Sequence, residues 1–109
     1  MKDIRIGDLR DRVVIERVTL VDDGGGGVEE TWVEVATVWA SVRALSGDER
    51  VEADAISGQL THEIHMRWRS DVGPDLRLRI GARVFDLKVV MDPDDRQKFL
   101  RCFGEERDL

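Results

Sequence analysis

Residues 31–49, TWVEVATVWASVRALSGDE, decide the fold. Val38, Ala40, Val42 and Ala44 alternate with Trp39, Ser41, Arg43 and Leu45. A period of two places successive side chains on opposite faces of a strand, so the first set reads as a buried face. The pattern stops at Ser46-Gly47-Asp48-Glu49, where Ser46 and Glu49 stand at capping-box spacing. The spacing predicts one strand made of 31–35 and 37–45, bent near Ala36. A short helix or ordered loop follows over 46–58, with Val51, Ala55 and Ile56 on one side and Gly58 as a stop.

Outward from this stretch the chain keeps the strand period. Residues 12–20 put Val13 and Ile15 on one face and Val14, Glu16 and Val18 on the other. Asp22-Asp23 and the four glycines Gly24–Gly27 then form a hairpin tip, because glycine admits the backbone angles that tight turns need. Residues 61–69 set His62, Ile64, Met66 and Trp68 against Glu63, His65, Arg67 and Arg69. Leu76, Leu78 and Ile80 alternate with Arg77 and Arg79, and Phe85, Leu87, Val89 and Met91 make an inward face. Asp92-Pro93-Asp94-Asp95 is a turn, residues 98–103 a last strand, and residues 104–109 a polar, mobile tail. Six or seven short strands separated by turn signals predict a mainly β chain, a small antiparallel β-barrel forming one domain over 1–109.

Composition narrows the function. A chain of 109 residues supports one core but not a deep catalytic cleft with a lid. Apolar residues at 41% argue against disorder, and a net charge of −6 argues against non-specific nucleic-acid binding as the main activity. Cys102 is the only cysteine, so an internal disulfide is excluded. No apolar run has the length of a membrane helix, and MKDIRIGDL lacks a signal-peptide core.

The candidate chemical motifs do not assemble a site. His62-Glu63-Ile64-His65 is one residue short of a zinc-protease motif, and residues three apart on a strand face opposite ways. Asp92, Asp94 and Asp95 lack the further ligands of a calcium loop, and Asp-Pro turn chemistry accounts for them. Cys102 is buried filler rather than a nucleophile. No catalytic set, cofactor motif or metal-ligand set survives. Trp32, Trp39 and Trp68 are core or interface residues, or alternatively a stacking platform for single-stranded nucleic acid. Arg67, Arg69, Arg77, Arg79 and Arg83 surround one hairpin and form either a solvated face or a docking surface for an acidic partner or DNA phosphate.

The ordered set of patterns resembles the phage head–tail joining family. It is carried by Ile6-Gly7-x-Leu9-Arg10-x-Arg12-Val13, Val38-Trp39-Ala40-x-Val42 and Leu45-Ser46-Gly47-x-Glu49. It continues with Thr61-His62-x-Ile64-x-Met66-Arg67-Trp68, Gly81-Ala82-Arg83-Val84-Phe85-Asp86-Leu87, and the turn and strand from Asp92 to Leu100. The resemblance implies a head-completion or stopper protein of tailed phages, prophages or gene transfer agents, with no enzyme activity. Such a protein is made in the bacterial cytoplasm and ends in the neck of the particle. It forms a homo-oligomeric ring between the portal and adaptor and the tail-terminator ring, enclosing packaged double-stranded DNA without sequence specificity. By the same resemblance residues 46–58 are the channel gate, with Asp48, Glu49, Glu52 and Asp54 facing only Arg50; strand alternation separately leads to the expectation that the five arginines face a neighbouring ring or subunit. Another connector ring, such as a tail terminator, and a free-standing barrel for single-stranded nucleic acid are the alternatives.

Overall fold

The structure is a computed structural model that describes residues 4–50 and 59–107. Among these residues a 3-10 turn, Ile6–Asp8, leads into six strands: β1 Asp11–Asp22, β2 Val28–Ala44, β3 His62–Arg67, β4 Arg77–Ile80, β5 Arg83–Met91 and β6 Phe99–Glu106. All pairs are antiparallel, and the order β1-β2-β3-β6-β5-β4 closes into a barrel. Closure rests on three rungs between β1 and β4: Val14↔Arg79, Ile15↔Leu78 and Glu16↔Arg77.

Most of the predicted inward positions form the core, although at the end of β2 Ala44 is exposed and Leu45 is buried. Val13, Ile15, Ala40, Ile64, Met66, Leu78 and Phe85 are completely buried. Burying a side chain of the size of Phe85 contributes about 2–3 kcal/mol, so this small set supplies much of the folding drive. Cys102 is also fully enclosed, and burial pushes its thiol up to about 12.

The bend expected near Ala36 is a β-bulge. The ladder steps from Ile15↔Ala36 to Glu16↔Glu34, so Val35 is the extra residue within one continuous strand β2. Beyond this bulge β1 and β2 pair with each other up to Asp22↔Val28 and leave the barrel wall as a two-stranded arm. The tip follows from its acids. Asp22 accepts the Gly24 amide, and Asp23 accepts those of Gly25 and Gly27. Gly24 and Gly26 take the positive φ values of 82° and 88° that a side chain would resist.

Two further expectations fail, for local reasons. A second bulge between Leu87 and Val89 shifts the alternation in β5, so Val90 packs against the core and Met91 is exposed. The polar tail also starts later than expected, because Gly104, Glu105 and Glu106 extend β6. Gly104 lies so close to β5 that a Cβ there would sit 2.8 Å from the Asp86 carbonyl oxygen. That approach explains a glycine inside a strand. Among the described residues no helix is long and apolar enough to cross a membrane.

Candidate functional site

The insertion between β2 and β3 starts and ends at one point of the barrel wall. The rung Ala44↔His62 is the last of the β2–β3 ladder, and the Leu45 amide then bonds the Thr61 carbonyl at 2.9 Å. Residues 46–60 therefore leave from and return to adjacent strands.

The departing side is rigidly built. Residues 47–50 are helical, and both halves of the capping box are made. The Ser46 amide donates to Glu49 Oε1 at 2.9 Å, and the Glu49 amide donates to Ser46 Oγ at 3.3 Å. Arg43 ties this cap to the barrel by donating to both Glu49 oxygens at 2.8 Å and to Glu63 at 2.6 Å. Arg43 and Glu63 are direct partners across the β2–β3 ladder. On the far side Arg101 Nε lies 3.2 Å from Glu63, and His65 lies 3.4 Å from it.

The carboxylates respond to these cations. Arg43, helped by the Ser46 backbone and hydroxyl, lowers Glu49 to about 2. His65 first, then Arg43, lowers Glu63 to about 2 from 4.5, against its own desolvation. Because the folded value lies below the unfolded one, Glu63 stabilises the fold above about pH 4.5 and loses that contribution as pH falls toward 2. Urea unfolding of the Glu63→Gln variant should therefore show lower stability than wild type at pH 7 and a shallower decline between pH 5 and 2.5. Parallel profiles for the two proteins would rule out this role.

Glu49 is thus committed to Arg43, and the acids of this segment do not face Arg50 alone. Asp48 is exposed in the helical residues 47–50. Glu52 and Asp54, with the rest of 51–58, lie outside the described residues.

The five arginines occupy distinct settings. Arg77 Nε contacts Glu16 at 2.8 Å, Arg79 Nε reaches the other Glu16 oxygen at 3.5 Å, and Glu16 is nearly buried between them. Arg77 also covers Trp32 at 4.1 Å, with Arg107 at 5.6 Å from the same ring. Arg83 grips Glu106 at 2.7 Å and lies over Phe85, whose ring meets His62 edge-on. Burial holds His62 below its usual range although Glu106 is 4.0 Å away. His65 points to the opposite face, so the two histidines do not converge. Arg69 forms a two-pronged pair with Asp71. Arg67 is exposed and has no carboxylate partner among the described residues.

Arg67 and Arg69 instead share an open groove of about 440 Å³ with Arg12, Trp39, Trp68 and Ile6. Arg12 lies 4.8 Å from the centre of the Trp39 ring, its cross-strand neighbour. Trp68 packs against the core, and Trp32 is already covered by arginines. Three free aromatic faces for bases are therefore not present. Sequence reading missed Arg12 and Arg43, since both acquire their neighbours from strand register.

These features define the class: a small, closed antiparallel barrel with one long insertion, a projecting arm and a surface laced by arginine pairs. Residues 4–107 match the phage head completion protein family. The chain belongs to that family, which is a structural rather than an enzyme family. It is 34% identical over 74 residues to the head completion protein gp7 of Enterobacteria phage HK97, a match covering 68% of this chain and 66% of the relative. The matched part thus spans just under two thirds of that curated relative. The solution structure of protein SF1141 from Shigella flexneri 2a superposes with a TM-score of 0.75 at 30% identity, covering 94% of this chain and 96% of the other. A chain of the virion of a native gene transfer agent particle superposes with a TM-score of 0.64 at 33% identity, covering 91% and 96%.

Proposed function

We propose that this chain is a stopper: a ring subunit in the neck of a phage or gene-transfer-agent particle, which closes the DNA channel after packaging and offers the tail its attachment surface. The observation that carries the reading is the insertion that leaves and re-enters the barrel at the Leu45–Thr61 contact. Its departing side is locked to β2 and β3 by Arg43. Both ends of the insertion are thus fixed side by side at one point of the barrel wall.

Charge supports the same role. With Glu49 neutralised by Arg43, the insertion still holds Asp48, Glu52 and Asp54 against Arg50. Repetition around a ring multiplies this excess, which repels phosphate rather than binding it. A channel gate needs that property, because it must retain DNA without adhering to it. The portal and adaptor ring on one side, the tail-terminator ring on the other and further copies of the chain are the partners in this reading. The likeness to a chain of a gene transfer agent virion supports it.

A three-dimensional reconstruction of the particle neck tests the placement. A ring of this barrel between adaptor and tail is the expected result. Its location in the shell or in the tail tube would refute the stopper role.

A further inference from the structure

We propose that neighbouring subunits contact head to tail, the β1–β2 arm of one protomer lying in the arginine–tryptophan groove of the next; the ring of the preceding section is taken as given.

Two surfaces of the one chain are complementary. The arm carries Asp22, Asp23, Glu29 and Glu30 and has no lysine or arginine from Val18 to Thr31. On one face of the arm Leu20 is 63% exposed and Val28 69%, and on the other Val21, paired with Glu29, is 46% exposed. Such large apolar side chains beside one another on a thin hairpin call for a cover. A lone two-stranded hairpin is marginal in water, which adds to the demand for a partner. Glu30 acts on Arg107 of its own chain, whereas Glu29 stands on the other face, opposite Val21.

The groove offers the reverse pattern. Ile6 and Trp39 are exposed on its wall, and Trp68 lines it. Arg12 and Arg67 stand at it without carboxylate partners among the described residues, while Arg69 is shared with Asp71. Apolar surface with unpaired cations suits apolar surface with unpaired acids.

Geometry makes the contact intermolecular. Arg12 pairs with Trp39 at one end of the β1–β2 ladder, and Asp22 pairs with Val28 at the other. Ten residues of strand separate them, roughly 30 Å. The arm therefore cannot fold back onto its own groove. A surface that fits a different surface of an identical copy forms a heterologous interface, which closes into a ring when the rotation permits.

Charge reversal in a host lacking the wild-type gene tests the contact. Glu29→Lys with Glu30→Lys should abolish incorporation into the neck ring, as should Arg12→Glu with Arg67→Glu. The chain carrying all four changes should regain it. Folding of each variant is checked by circular dichroism. Independently, Glu29→Cys with Arg67→Cys, treated in assembled particles with a short bismaleimide, should give a ladder of covalent multimers; buried Cys102 does not compete. Should a reversal variant fail to fold, this ladder decides the matter. If the reversals leave a normal ring, or if no ladder forms, the head-to-tail contact is wrong and the stopper reading stands. If wild-type necks contain no ring of this chain, both fall.

Discussion

Arg77→Glu will unfold or severely weaken the barrel, whereas Arg67→Glu will leave it intact. Both arginines point outward from strands and look alike in the sequence. Arg77, however, shares a closure rung with Glu16 and contacts it at 2.8 Å. The side chains are only 17% and 9% exposed, so the pair is shielded from water. Removing one member of a buried pair leaves the other charge uncompensated, at a cost of about 3–5 kcal/mol. Arg79, longer at 3.5 Å and more exposed, offsets part of this for Arg77→Ala. Glutamate instead sets a second carboxylate against Glu16 and strips the cation from Trp32. Because only three rungs join β1 to β4, the damage falls where the barrel closes. Arg67, with no carboxylate partner among the described residues, should shift stability by less than about 0.5 kcal/mol. Urea unfolding of the two variants makes the comparison. Equal stability would mean that the Glu16 pair does not hold the closure.

The contrast shows where sequence reading stops. Strand alternation identified Val13, Ile15, Ala40, Ile64, Met66 and Phe85 as core because burial acts on each strand by itself. The capping box at Ser46 and Glu49 was legible for the same reason, since its two halves lie within one turn. Bulges are different. An extra residue at Val35, and the shift that turns Met91 outward, depend on the partner strand as much as on the bulged one. Gly104 likewise is required by the nearby Asp86 carbonyl, which lies on another strand.

The same distinction applies to the site. Arg67, Arg69, Arg77, Arg79 and Arg83 form one cluster along the chain but meet Glu16, Asp71, Glu106 or, for Arg67, no carboxylate among the described residues. Contacts with distant strands set Arg77, Arg79 and Arg83 apart, whereas Asp71 lies only two residues from Arg69. The role of Arg43 is not legible in its own strand because its partners Glu49 and Glu63 come from the insertion and from β3. Arg12 joins the groove through its rung with Trp39, a residue far away in the chain. The acid content of the insertion was legible throughout, because charge composition needs no register.

The largest functional effect should come from the insertion itself. Replacing residues 51–57 with a short glycine–serine linker removes Glu52 and Asp54 together with Val51, Ala55 and Ile56. Ser46, Glu49 and Arg43 remain, so the capped root and the β2–β3 ladder keep their bonds. The variant should fold, join the neck and fail to hold DNA. The deciding measurement is the fraction of nuclease-protected DNA in purified tailless heads that carry the ring. The stopper account predicts that protection is lost in the variant and kept in wild type. Equal protection with the ring visible in both would contradict it.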